Sequence, residues 1–126
     1  MLDYISDAAN APKAIGPYSQ AVLYGGLAFL SGQLPLDPQT GKLIEGGIEE
    51  QTSQVLHNLE AVLKRLGMDF SNVVKSTIYL SDLKHFALVN AIYEKKLQGS
   101  KPARATVQVA ALPLGAMVEI EMVAAR

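Results

Sequence analysis

The 126-residue chain contains no cysteine. That absence excludes a disulfide framework, a thiolate zinc site and a cysteine nucleophile. No apolar run approaches the roughly 18 residues that a membrane-spanning helix needs. The N-terminal stretch from Met1 to Ile15 carries two Asp and one Lys and no apolar central region, so it does not read as a secretory signal. The expectation is a cytoplasmic protein without a membrane partner. Charge is also sparse. Asp, Glu, Lys and Arg make up 18% of residues and the net charge is −1, so the electrostatic footprint of a nucleic-acid binder is missing. The densest basic group, Lys95-Lys96 with Lys101 and Arg104, is thin. Phosphate-binding and nucleophile-elbow motifs are missing too: there is no Walker A loop, no Gly-x-Gly-x-x-Gly and no Gly-x-Ser-x-Gly. The two histidines, His57 and His85, read as exposed surface residues, and no metal site is expected.

What the chain does have is enough apolar residue, 49%, to build one core in a domain of ordinary size. Two β-prone runs, Tyr18–Tyr24 and Leu27–Ser31, flank Gly25-Gly26 and read as a hairpin with a type I′ turn. Pro35–Gly41 reads as a loop. From about Gly47 to Leu66, the residues Ile48, Thr52, Val55, Leu56, Leu59, Val62, Leu63 and Leu66 fall at helical spacing, and Gly67 supplies the stop. Val73–Leu80 reads as a strand. A second helix, capped by Ser81 or Asp82, runs to about Leu97 with Phe86, Val89, Asn90, Tyr93 and Leu97 on its inner stripe. Strands follow at Arg104–Val109 and Met117–Ala124, separated by a turn at Leu112–Gly115. The order implies one α+β domain over residues 1–126: a mostly antiparallel sheet with two helices on one face.

The period of two sorts the strand residues by face. In the last strand Val118, Ile120, Met122 and Ala124 suit the helix-covered side, and Glu119 and Glu121 point away. Arg104, Thr106 and Gln108 share a face of the preceding strand. If these two strands pair, Arg104, Thr106 and Glu119 lie together on the helix-free side. That face is either solvated or an assembly surface that holds a site. Two residues stand out chemically. Asn90, an amide on an inner helix stripe, needs hydrogen-bond partners: it either pins local backbone or orients a site. Arg104 offers a planar fork for a carboxylate, either that of Glu119 or Glu121 in an ion pair or that of a ligand.

A series of short blocks resembles one family. Ala14-Ile-Gly-Pro-Tyr-Ser-Gln-Ala-Val22, Phe29-Leu-Ser-Gly-Gln33, Asp37-Pro-Gln-Thr-Gly41, Val89-Asn90 with Tyr93, Pro102-Ala-Arg104, Leu112-Pro113 and Val118-Glu-Ile-Glu121 appear in the order found in the Rid (YjgF-like) family, whose members are also labelled L-PSP endoribonucleases. Each block is weak alone; together they cover about residues 8 to 126. The resemblance implies a chorismate-mutase-like fold, a homotrimer and clefts between subunits. It implies hydrolysis of 2-imino or 2-enamino acids, such as 2-iminopropanoate and 2-iminobutanoate, to 2-keto acids and ammonia, with no cofactor. By motif position it places Tyr18, Ser31, Gly32, Asn90, Arg104, Thr106 and Glu119 in the cleft. Arg104 would clamp the substrate carboxylate, Glu119 would hold the attacking water, and Tyr18 would assist at the departing amine. Backbone N–H groups near Gly32 and Thr106 would complete the anion site. Ser31 and Asn90 would line the cleft. Many bacterial members carry Cys at the position of Thr106, and the loop between Asn90 and Arg104 is shorter here than in some. Two other readings of such a chain are a single-strand endoribonuclease, which the low charge and 6% aromatics disfavour, and a non-enzymatic keto-acid-binding regulator.

Overall fold

In a computed structural model, which describes all 126 residues, six strands and two α-helices alternate along the chain. β1 (Leu2–Ile5), β2 (Ala21–Tyr24) and β3 (Leu27–Gln33) precede α1 (Ile48–Arg65). β4 (Val73–Leu80), α2 (Phe86–Leu97), β5 (Ala103–Gln108) and β6 (Val118–Ala125) follow. They form one sheet in the order β1-β2-β3-β6-β4-β5.

Helix α1 forms where the apolar spacing predicts it. All eight residues of its expected stripe are buried. Its end is a Schellman motif: Gly67 takes φ 72°, its N–H bonds the Lys64 carbonyl at 3.0 Å, and the Met68 N–H bonds the Leu63 carbonyl at 2.9 Å. The stripe packs with Ala28 and Leu30 of β3, Ile78 and Leu80 of β4, and Val118, Ile120, Met122 and Ala124 of β6 into one core. Helix α2 joins the same face through Val89, Tyr93 and Leu97. Burying this much apolar side-chain surface, at roughly 25 cal/mol per Å2, is the dominant stabilisation. Buried amides fix the loops above it: Asn58 donates to the Leu34 and Leu36 carbonyls at 3.1 and 3.0 Å.

Four details depart from the sequence-based expectation. The sheet is mixed, because β4 and β5 run parallel. They are joined through α2, and a helical crossover is what parallel neighbours require. β5 is therefore an edge strand beside β4 and does not touch β6. An N-terminal strand, β1, extends the other edge by pairing with β2. In the Gly25-Gly26 turn only Gly25 has a left-handed φ, 59°, the pattern of a type II′ rather than a type I′ turn. The second helix opens with a tight turn, Leu83–His85, which Asp82 caps by accepting from the Lys84 N–H at 2.9 Å; the α-helix proper starts at Phe86. No helix is long and apolar enough to cross a membrane.

The side of the sheet away from the helices carries large apolar residues in the open. Leu2, Tyr24 and Leu27 form one cross-strand row, and Tyr4, Val22, Phe29 and Val123 the next. Tyr4 is 70% exposed, Tyr24 57% and Phe29 46%. Val107 of β5 lies on the same face, opposite Tyr79. Exposed apolar rows of this kind make that side of the sheet a candidate interaction face.

Candidate active site

The residues picked out by the sequence gather into two groups on opposite faces of the sheet. The first group surrounds a bulge in β3. Leu30 pairs with Met122 and Gln33 with Ile120, so Ser31 and Gly32 together oppose the single residue Glu121. The bulge turns Ser31 toward the segment before β2: its hydroxyl donates to the Ser19 carbonyl at 2.5 Å and its N–H to the Gln20 carbonyl at 3.0 Å. That segment carries Tyr18, whose side chain is 54% exposed and whose ring lies against Gly16. Gly32 is glycine for a visible reason. A Cβ there would sit 2.1 Å from Oε2 of Glu119, so the bare backbone makes room for that carboxylate. Glu119 is half-buried. Burial holds its carboxyl above the ordinary carboxylate range, and the like charge of Glu121 adds to the effect. Ser31, Gly32 and Glu119 thus lie together on the helix-free side, and Tyr18 precedes the Ser19 that Ser31 holds.

The second group lies on the helix side of edge strand β5. In the parallel register Arg104 stands beside Ser76 and Thr106 beside Ile78. Neighbours in a ladder share a face, and Ser76 and Ile78 face the core. Arg104 and Thr106 therefore point toward α2. This corrects the expectation that they share the helix-free side with Glu119, which assumed that β5 pairs with β6. The guanidinium of Arg104 lies over the ring of Tyr93, 5.1 Å from its centroid, and 5.7 Å from that of Phe86. Tyr93 is itself fixed by donating to the Ser76 hydroxyl at 2.8 Å. The three ion pairs of the chain are Arg65–Asp7, Lys84–Asp82 and Lys96–Glu60. Arg104 is in none of them, so the structural ion pair with Glu119 or Glu121 does not form. Asn90, half-buried one turn before Tyr93, lines a pocket of ≈ 290 Å3 with Tyr93, Ser100, Pro102 and Arg104, close to the lower size of small-molecule sites, about 300 Å3. The Thr106 hydroxyl is buried without a hydrogen-bond partner, a costly state for a polar group that nothing else engages.

Two aromatic supports for Arg104 went unnoticed in the sequence. Tyr93 lies on the inner helix stripe as expected, whereas Phe86, expected there too, is 41% exposed at the helix start; the role of both beneath the guanidinium depends on the parallel crossover. Tyr79 was missed as well. It faces Glu119 directly across the β4–β6 ladder and donates its hydroxyl to Oε1 of Glu121.

An arginine over aromatic rings on one face of the sheet and a half-buried carboxylate on the other are candidate elements of a small-molecule site. Comparison with known proteins supplies the family. The family model described as Endoribonuclease L-PSP matches residues 8–126, and the chain belongs to that family, the Rid (YjgF-like) proteins. It is 52% identical over 120 residues to the bovine (Bos taurus) protein named 2-iminobutanoate/2-iminopropanoate deaminase, covering 95% of this chain and 88% of the bovine one. The crystal structure of YyfA from Yersinia pestis, described as a protein of the conserved Rid family, superposes with a TM-score of 0.96 at 46% identity over 100% of both chains. That of E. coli TdcF with bound serine gives a TM-score of 0.91 at 38% identity over 98% of this chain and 99% of TdcF.

Proposed function

We propose that the chain hydrolyses 2-imino acids, in equilibrium with their 2-enamino tautomers, to 2-keto acids and ammonia, at clefts between the subunits of a homotrimer. The observation that carries this reading is Arg104: a guanidinium over Tyr93 and Phe86, in no ion pair, lining a small pocket that Glu94 and Lys101 also border. Such a fork suits a ligand carboxylate. The bovine relative's name supports the substrate class, and the serine in TdcF supports a ligand with an α-carboxylate.

Assembly follows from the two half-sites. Glu119 and Arg104 lie on opposite faces, with β4 between their strands, so one chain does not close both around a small acid. A second copy laid on the apolar helix-free face would bring its β5 edge to the first copy's bulge. A closed ring of three such head-to-tail contacts covers every apolar face and completes every cleft.

In such a cleft the substrate carboxylate sits on Arg104 in bidentate fashion, with Asn90 and the Thr106 hydroxyl beside it. Glu119 of the neighbouring copy accepts a proton from water as its oxygen adds to C2 of the C=N group. That proton passes to the nitrogen, giving the carbinolamine; the carbinolamine hydroxyl then yields its own proton through Glu119 to the amine nitrogen as the C–N bond breaks and the C=O bond forms, and keto acid and ammonia leave. Tyr18 and Ser31 border the departing nitrogen. No cofactor enters this scheme. Imines hydrolyse readily in water, so a placed water and one fixed charge suffice.

The test is a coupled assay. An amino-acid dehydratase generates 2-iminopropanoate or 2-iminobutanoate, and keto-acid release is followed with and without the protein. Acceleration supports the reading; an unchanged rate refutes it. The same preparation incubated with single-stranded RNA tests the endoribonuclease alternative, and keto-acid binding without turnover would mark a regulator.

A further inference from the structure

Buried polar side chains in this chain mostly hold backbone. Gln20 bridges the Ala8 N–H and the Pro12 carbonyl, Gln51 accepts from the Met117 N–H, and Asn58 donates to two loop carbonyls. Ser76 differs. It is 0% exposed, and it is the one polar member of the four buried residues of β4, the others being Val73, Ile78 and Leu80. Its hydroxyl serves a side chain: it accepts from the hydroxyl of Tyr93 at 2.8 Å.

The place of that bond in the sheet gives it a use. In the parallel ladder Ser76 stands beside Arg104, one strand spacing away, about 4.8 Å. Tyr93 reaches both from α2. Its hydroxyl ends on Ser76, and its ring lies beneath the Arg104 guanidinium, 5.1 Å from centroid to Cζ. The second ring near Arg104, Phe86, is exposed, so the buried ring is the firmer support. The strand therefore fixes the Arg104 backbone, and the tyrosine fixes the surface on which its side chain rests. We infer that Ser76 is a positioning residue: by holding the Tyr93 hydroxyl it sets the ring that aims the Arg104 guanidinium. Its part in catalysis rests on the reading of Arg104 as the carboxylate clamp, whereas the place of the guanidinium is a property of the folded chain.

Folding alone gives little reason for the pair. Replacing both partners of a buried hydrogen bond with apolar groups of the same shape is close to neutral for stability. Ser76→Ala combined with Tyr93→Phe should therefore leave the core about as stable as before. Arg104 is what such a change would release. An arginine has much rotamer freedom to lose, and a ring anchored at its far end limits that freedom before any ligand arrives.

The experiment compares wild type, Ser76→Ala, Tyr93→Phe and the double variant. The chain has three arginines, Arg65, Arg104 and Arg126, so their side-chain Nε–H signals are few in a proton–nitrogen NMR spectrum, and Arg104→Lys assigns the one that belongs to Arg104. In wild type that signal should be displaced by the ring current of Tyr93. In either single variant it should move toward the ordinary arginine range. Calorimetric titration with 2-oxobutanoate, the keto acid of 2-iminobutanoate, gives the effect on carboxylate binding. Its Kd should rise about threefold to tenfold in each single variant, the scale of one neutral hydrogen bond. It should rise no further in the double variant, whose melting temperature should lie near that of wild type. With the imine substrate, KM should rise in step while kcat changes less.

An Arg104 signal that stays in place in the folded single variants overturns the inference. So does a double variant that binds the keto acid as wild type does, which would leave the bond a matter of satisfying two buried hydroxyls. Losses that multiply in the double variant overturn it as well, since one shared bond can be lost only once. Wild-type protein that neither binds 2-oxobutanoate nor turns over the imine would sink the proposed reaction alone, because the Arg104 signal still reports whether Ser76 and Tyr93 set its place.

Discussion

Changing Arg104 to Lys keeps a positive charge at the same place and removes the planar fork. In the structure the guanidinium lies over Tyr93 at 5.1 Å and Phe86 at 5.7 Å from their centroids, and Arg104 lines a pocket with Asn90. An ammonium on the same rings is a point charge that makes one of the two parallel bonds to a carboxylate. A hydrogen bond to a charged group contributes about 1.5–3 kcal/mol, and ~1.4 kcal/mol is a factor of ten in rate. Arg104→Lys should therefore lower kcat/KM by roughly tenfold to a hundredfold. Arg104→Ala loses both bonds and should fall to the uncatalysed rate. Stability should change little with Lys, and with Ala by the lost ring contact, about 0.5–2 kcal/mol. Oligomeric state should survive both changes, since Arg104 takes part in no ion pair of the chain. The assay is keto-acid release from 2-iminopropanoate, with light scattering on the same samples. Wild-type rates from both variants, with assembly intact, would remove Arg104 as the carboxylate clamp and refute the mechanism built on it.

Two further outcomes follow from the Glu119 half of the site. A Gly32→Ala side chain would meet Oε2 of Glu119 at 2.1 Å; the carboxylate is the flexible partner and should swing away, so kcat should drop by tenfold or more, on the order of one lost charge-assisted contact, with the melting temperature nearly unchanged. Equal kcat in this variant would mean that Glu119 does not act from its position over the bulge. The pH profile has a definite sign. Glu119 must be ionised to accept a proton, and burial together with Glu121 holds its carboxyl above the ordinary range. Activity should be full above that raised value and fall as pH drops through it, at a higher pH than for an exposed glutamate. A profile flat down to the normal carboxylate range would exclude Glu119 as the base.

Much of the fold could be read from the sequence because single elements announce themselves. The α1 stripe from Ile48 to Leu66, the Gly67 stop and the alternation of Val118, Ile120, Met122 and Ala124 against Glu119 and Glu121 all reflect local periodicity set by burial on one side. Pairing between elements is a different kind of information. The alternation in β5 correctly grouped Arg104 with Thr106, yet the face they occupy depends on which strand lies beside them. The strand–helix–strand order β4-α2-β5 held the needed clue, since a helical crossover of this length joins parallel neighbours. β1 escaped notice because four exposed or half-buried residues, Leu2–Ile5, have no alternation to reveal them. The candidate residues themselves were found through the family blocks. Their division between the two faces of the sheet follows from the strand pairing, for which that crossover is the one clue along the chain.

The account's central claim, that each site is built from two copies, is tested most directly by mixing subunits. Arg104→Ala and Glu119→Ala proteins, each inactive alone, are unfolded together at equal concentrations, refolded, and assayed for keto-acid release. Clefts between copies predict that random reassembly pairs an intact Arg104 with an intact Glu119 in about a quarter of the sites, restoring about a quarter of the wild-type rate per subunit. A mixture as inactive as its two components, with heterotrimers present, would place both residues in one chain's site and contradict the account.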